Sequence, residues 1–343
     1  DKSLAASAVN LATTTVTGVL PTANVDLSSI SGHNLLYNGA NTIWQRGASL
    51  GSGVNRYVQD RWYQWGYGAI PTQQTGINGI GYSARLQHND ATANSFSSWN
   101  QSLETSDTVY ARGNKATFSV YIKKGSAFTG TLNLQIVERT DAEGSVNTGT
   151  RNVLHSENIA GSLTTSFQRF TITSNNNVSA SAMSIGVNID HGGTSGTDSN
   201  NYFEFTQAQL EVGTVATPFE HRSYGQELAL CQRYYQKSYN YSVAPATATT
   251  TGMVGGAAGS SSWGGSDATT FLSLFRSAPT MAFYDSAGTV SKVSGLAGGT
   301  SFTNNLATNP NGPQRISEKS FVLTGNGIST YDIFIHYTAD AEL

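Results

Sequence analysis

Three stretches of this 343-residue chain alternate apolar and polar residues with a period of two, and that period restricts its fold most. In "TFSVYIK" (117–123), Phe118, Val120 and Ile122 alternate with Thr117, Ser119 and Tyr121. "TLNLQIV" (131–137) sets Leu132, Leu134 and Ile136 on one side. "AMSIGVNID" (182–190) does the same with Met183, Ile185, Val187 and Ile189. Successive strand side chains point to opposite faces, so each stretch predicts an antiparallel strand with one buried and one wet face. "FQRFTIT" (167–173) is mixed but rich in strand formers. In "YFEFTQAQLEV" (202–212) the phase slips, with Phe203 and Phe205 odd-numbered and Ala208, Leu210 and Val212 even. That slip predicts a bulge near Thr206 and Gln207. Many short strands between turn residues predict an all-β chain whose residues 33–222 form a two-sheet jelly-roll β-sandwich.

Composition agrees. Charged residues are only 12% of the chain, too few for many long surface helices. One helix is expected, in "SYGQELALCQRYYQK" (223–237), where Ser223 and Gln226 have capping-box spacing. Tyr224, Leu228, Cys231 and Tyr235 recur along one face, which predicts a connecting helix over 223–240 or a stalk against sister helices. After a small-residue stretch (242–268), strand signals resume in "TTFLSLF", "TMAFYD", "SFVLT" and "YDIFIHYTA". In the last of these Tyr331, Ile333, Ile335 and Tyr337 share a face, and residues 241–343 are expected to form a smaller C-terminal β domain. Residues 1–32 stand apart, because "VNLATTTVTGVLPTANVDL" has no aromatic residue and buries too little surface alone to offset its ordering. Either it is a tail, or other chains order its regularly placed Val and Leu residues; we expect an extended attachment segment. A first residue other than methionine leads us to expect a fragment or a processed form.

Several function classes are disfavoured. A net charge of −3 offers no footprint for nucleic acid. The sequence has no run of 18 apolar residues, the length a membrane-spanning helix needs, and no secretory signal pattern is visible. A single cysteine, Cys231, excludes an intrachain disulfide, and the histidines show no zinc-type pairing, so no metal site and no cofactor is assigned, a lone calcium ion on carboxylates and carbonyls staying open. "GASLG" (47–51) matches a nucleophile elbow, but no helical pattern follows Ser49. "HGGT" (191–194) comes after it, where an oxyanion loop should precede it. "GGTSGTD" (192–198) is one residue too long for a calcium nonapeptide and reads as a polar loop. Asp60, Glu104, Asp107, Glu138 and Asp141 are available for glycosidic hydrolysis, yet nothing pairs them.

The aromatic run "DRWYQWGYG" (60–68) is more informative. As a strand it puts Tyr63, Trp65 and Tyr67 on one side and Trp62, Gln64 and Gly66 on the other, with Trp62 facing inward. Rings with polar neighbours suit sugars, whose C–H faces stack while hydroxyls hydrogen-bond. Tyr63, Trp65, Tyr67 and Trp99, the last expected in a polar loop, are the candidate carbohydrate-binding residues. Core or intersubunit packing is the other reading of the same rings.

Two segments carry a resemblance. "NLLYNGANTIWQRG" (34–47) with "YVQDRWYQW" (57–65), and "AQLEVGTVATPFEHRSYGQELALCQRYYQKS" (208–238), resemble the opening and close of a module of bacteriophage tail-fibre and other virion proteins. The resemblance covers about residues 33–238. It implies a carbohydrate-binding-like jelly roll in a homotrimeric virion fibre, attached to other virion proteins through the N-terminal segment and meeting host-surface glycans. Leu228, Cys231 and Tyr235 would then be trimer-interface candidates. There are departures: Ala40, Asn41 and Thr42 replace the acidic and aromatic residues that often follow Asn-Gly. Ala208 and Gln209 stand about where related jelly rolls carry paired aspartates. The expected function is a non-enzymatic fibre component recognising glycans; a purely structural fibre or decoration protein and a glycan depolymerase are the alternatives.

Overall fold

A computed structural model of the chain describes residues 34–49, 55–66, 69–88, 90–144, 149–256, 268–297, 301–306, 312–324 and 332–343. The segment expected over 1–32, with Tyr67 and Tyr331, lies outside those residues. The first strands are β1 (Arg56–Tyr57), β2 (Tyr63–Gly66), β3 (Ala69–Thr75), β4 (Tyr82–His88), β5 (Asp90–Ser102) and β6 (Ala116–Lys124). They are followed by β7 (Thr131–Arg139), β8 (Arg151–Asn158), β9 (Gln168–Thr173), β10 (Ser184–Gly196) and β11 (Tyr202–Val212). One antiparallel sheet has the order β1-β2-β5-β10-β7-β8 and the other β3-β4-β11-β6-β9, so the chain repeatedly crosses between layers. This is an all-β jelly-roll β-sandwich.

The alternating residues form its core. Phe118, Val120 and Ile122 meet Leu132, Leu134, Ile136, Ile185, Val187 and Ile189 across the layers, all buried. The expected bulge is present: the β11–β6 register shifts between Thr206 and Gln209, and Gln207 takes φ 51°. Phe203 and Phe205 thus share the core with Ala208 and Leu210 despite their opposite parity.

After the single-turn helix α1 (Thr105–Thr108) in the sandwich, helix α2 (Tyr224–Gln232) leaves it. Its capping box is formed, with Ser223 and Gln226 satisfying each other's backbone N–H groups. It stops earlier than the sequence suggests. Tyr235 begins β12 (Tyr235–Lys237), which pairs with residues 338–340, because backbone groups past Gln232 find ladder partners there. Strands β13 (Val254–Gly256), β14 (Ala268–Thr270), β15 (Thr280–Tyr284), β16 (Val293–Ala297) and β17 (Ser301–Leu306) follow. The last are β18 (Gly312–Gln314), β19 (Ser320–Thr324) and β20 (Asp332–Asp340). Strand β20 pairs with β12, β13, β15 and β16, and its Ile333, Ile335 and Tyr337 enter a second core with Phe271, Phe275 and Phe321. "TTFLSLF" is a strand only to Thr270; beyond it Phe271 and Phe275 turn inward and Leu272 and Leu274 remain exposed.

The two cores meet at a charged junction. Arg46 lies 3.0 Å from Asp340 and 3.3 Å from Glu342, with its guanidinium 3.8 Å from the Tyr235 ring centroid. Arg61, in left-handed backbone at φ 71°, pairs with Glu342 and lies 3.6 Å from the Tyr234 ring centroid. Asp60 accepts hydrogen bonds from Gln45 N (2.8 Å) and Gln45 Nε2 (2.6 Å). Gln45 Nε2 also donates to the Tyr235 carbonyl at 2.9 Å.

Burial pushes the Asp60 carboxyl from 3.8 up to about 6, against the pull of Arg46 and Gln45. Between those values the folded chain holds a proton that the unfolded chain releases. The Asp60 contribution to stability is therefore complete below 3.8 and lost as pH rises through about 6. The difference in thermal midpoint between the parent and Asp60→Asn should shift against the parent as pH rises across that window. A pH-independent difference would show that the carboxyl titrates as it does in the unfolded chain.

Candidate functional site

Strand β2 alternates as the sequence suggests. Trp62 and Gln64 are buried toward the core, whereas Tyr63 is half-buried and Trp65 is 42% exposed on the opposite face. Residues directly opposed on neighbouring strands share a face, so the register extends that face across the sheet. Trp65 opposes Ser98, Ser98 opposes Asp190, Asp190 opposes Asn133, and Asn133 opposes Asn158. Two residues along each strand, Tyr63 leads through Asn100, Asn188 and Gln135 to Ser156. Two rows therefore cross the sheet, each beginning on an aromatic ring and continuing through hydroxyl, amide or carboxylate groups. Four strand spacings make each row about 19 Å long.

Accessibility falls and rises again along the rows. Trp65 stands exposed at one end and Ser156 and Asn158 at the other, while Ser98, Asn100, Asn188 and Asp190 are buried between them. We call this face, exposed at both ends and buried and polar between them, the trough. Phe96 extends the aromatic flank, with its ring edge-on to Trp65 at 5.3 Å. Tyr57 does so at the Tyr63 end, with ring centroids 5.0 Å apart.

The rows differ in how far they satisfy themselves. In the Tyr63 row, Asn100 Nδ2 donates to the Tyr63 carbonyl (3.1 Å) and Asn188 Nδ2 to Gln135 Oε1 (3.2 Å). Gln135 Nε2 donates to Ser156 Oγ (3.2 Å), and Arg151 Nη2 donates to Gln135 Oε1. The Trp65 row is open. Ser98 Oγ and Asp190 Oδ1 are buried without a hydrogen-bond partner in the chain. Burial raises the Asp190 carboxyl above its ordinary value, while the approach of Ser98 and Arg151 holds that shift back. Buried polar atoms almost always find partners, so an open donor and acceptor on one floor call for a water or ligand hydroxyl.

The sequence-derived candidates separate cleanly. Tyr63 and Trp65 flank the trough, and Tyr67 is outside the described residues. Trp99 is a correction: it lies in β5, not in a loop, and is fully buried with its ring 5.2 Å from Phe205. Its parity is opposite to that of Ser98 and Asn100, so it belongs to the core and cannot stack on a ligand. The helix stripe is corrected too. Cys231 is buried within the chain and Tyr235 is a buried strand residue beneath Arg46, leaving Leu228 half-buried.

The five carboxylates weighed for hydrolysis are all held structurally: Asp60 by Gln45, Glu104 by Arg233 (2.9 Å), Asp107 by the Tyr37 hydroxyl (2.7 Å). Glu138 accepts from Ser179 N (2.8 Å) and Asp141 from Arg139 (3.0 Å). "HGGT" and most of "GGTSGTD" lie in β10 rather than in loops, because this stretch pairs with β5 and β7. His191 there faces the core, where burial lowers its pKa to about 4.

Asp190, Ser98, Asn133 and Arg151 were not singled out from sequence. A signal was present: the polar members of two alternating strands are Asn133 and Gln135, and Asn188 and Asp190, rather than the Thr, Ser and Lys of ordinary wet faces. A separate cavity of about 180 Å³ lies between Tyr82, Gln207 and Tyr224. Its charged groups are already engaged, Arg222 with the Leu36 carbonyl and Glu227 with Asn38 N.

The chain matches no protein-family model and no curated protein. Among solved structures it is similar to the enzymatically active domain of bacteriophage CBA120 tailspike protein 4, at 12% identity and TM-score 0.34. That match covers 52% of this chain and 21% of the tailspike domain. It is similar to the CBM22-1 xylan-binding domain of Paenibacillus barcinonensis Xyn10C at 15% identity and TM-score 0.31, over 54% of this chain and 98% of that one. The CBM22-1–GH10 modules of Clostridium thermocellum xylanase 10B match at 14% and 0.31, over 51% and 30% of the respective chains. A likeness this loose decides nothing about ligand or assembly.

Proposed function

We propose that the chain is a structural component of a bacteriophage virion fibre, without enzymatic activity, whose larger sandwich recognises host-surface glycans. The observation that carries the glycan reading is the open polar row that starts at exposed Trp65. A sugar ring stacked there sets its hydroxyls over Ser98 and Asp190, which combines broad apolar contact with a few oriented polar groups. The fibre reading rests on the segments at 34–65 and 208–238 that resemble virion fibre modules. A trimer multiplies weak contacts by avidity, so one modest site per chain suffices for attachment. Binding without hydrolysis is favoured because Asp60, Glu104, Asp107, Glu138 and Asp141 are each engaged in internal bonds.

Trp65→Ala tests the site. Affinity for glycans captured on an array of neutral and acidic oligosaccharides should fall at least tenfold, equivalent to about 1.4 kcal/mol. Folding stability should change by less than about 0.5 kcal/mol, as for most surface substitutions. Unchanged glycan affinity would remove the trough from the reading, and absence of any glycan binding would favour the purely structural fibre. Light scattering at several concentrations tests the trimer, and a monomer would count against the fibre.

A further inference from the structure

We infer that the trough selects uncharged sugars and excludes acidic ones, with Asp190 as the residue that sets this specificity. The inference rests on the glycan reading and adds to it the charge class of the ligand. It follows from what the open row presents. Asp190 is only 6% exposed, Ser98 is fully buried, and each has an oxygen without a partner in the chain. Register places them side by side on β10 and β5, with Trp65 next in line on β2, about 10 Å from Asp190. A ring over Trp65 therefore continues over Ser98 and Asp190 without leaving the row.

The chemistry of those atoms is restrictive. A carboxylate oxygen accepts only, whereas a serine hydroxyl both donates and accepts. A sugar hydroxyl satisfies this pair, since it donates to Asp190 Oδ1 while accepting from Ser98. A ligand carboxylate has no hydrogen to give Asp190, so it would leave that oxygen unpaired and set two buried negative charges together.

Arg151 does not reverse this balance. Its Nη2 is occupied by Gln135, and its charge already acts on Asp190. Further along the same face Arg139 is neutralised by Asp141 at 3.0 Å. The floor thus holds matched charges, and an uncharged polyhydroxyl ligand disturbs neither.

The test uses the full chain and two probes of one backbone: oligogalacturonides with fully methyl-esterified carboxyls, which are neutral, and the same oligomers de-esterified. Neutral galacto- and gluco-oligosaccharides are run beside them, and binding is read by calorimetry. The parent should bind at least one neutral probe and bind the de-esterified oligomer at least tenfold more weakly than its ester. Asp190→Asn should weaken neutral binding about tenfold and narrow the gap between the two forms, because an amide can donate to a ligand carboxylate. Ser98→Ala, which changes the fold least, should also weaken neutral binding. Equal binding of ester and acid by the parent would overturn the inference. So would an Asp190→Asn chain that folds and keeps the parent's preference, while Trp65→Ala still abolishes binding and leaves the glycan reading standing. If no probe binds and Trp65→Ala is silent, the glycan reading itself fails, and this inference with it.

Discussion

Glu342→Ala should destabilise the folded chain by about 3–5 kcal/mol, read as a fall in the midpoint of denaturant unfolding. Glu342 is the shared partner of Arg61 and Arg46, and its side chain is only 3% exposed. Removing it leaves the Arg61 guanidinium buried with no carboxylate, against the Ser102 carbonyl and the Tyr234 and Tyr37 rings. An unpaired buried charge is far more damaging than the net worth of the pair that it came from. Asp340→Ala is the internal comparison: that carboxylate touches the same Arg46 but is 41% exposed, so its loss should cost about 1 kcal/mol or less. Equal effects from the two would mean that the junction is solvated and does not join the sandwich to the C-terminal sheets. The double replacement Arg61→Met with Glu342→Gln should recover part of the lost stability, because no unpaired charge then remains.

Trp62→Ala should cost a similar amount, about 3–5 kcal/mol, from lost burial and the cavity left behind. The Trp62 ring is fully buried, packs 4.9 Å from Phe205, and its Nε1 donates to the Asn38 carbonyl at 3.1 Å. Trp65, three residues away, should behave oppositely, with little change in stability and a large change in ligand binding. Unfolding curves for the two variants, measured together, check the parity of β2 directly. If Trp65→Ala proved the more destabilising, the face assignment of the whole row would be reversed.

The strands were readable wherever one face is dry and the other wet, because that contrast writes a period of two into the sequence. The same logic located the β11 bulge, since a slip in parity is what one extra residue produces. It failed at Trp99, where the polar residues around a buried ring, Ser97, Ser98 and Asn100, look like a loop. They are in fact neighbours on two faces of a central strand, one of them the trough floor. It failed again at Tyr235, where helical spacing continued past the residue at which β20 takes over the backbone hydrogen bonds. The carboxylates picked out from the sequence turned out to be structural, while Asp190 passed unnoticed inside a strand valued only for its apolar members.

Local pattern alone therefore determined the all-β class, the faces of the strands, the capped start of α2 and the inward turn of Trp62. Each depends on near neighbours in the chain, through side-chain alternation or a bond three residues away. The trough and the junction were decided only by tertiary structure. Trp65, Ser98, Asp190 and Asn133 are far apart in sequence and become one row through the register of four strands. Glu342 meets Arg61 only because the residues that close β20 and follow it return to Arg46, Tyr57 and Arg61 near the start of the sandwich. Register and return are set by which cores exclude water together, and no single segment carries that information.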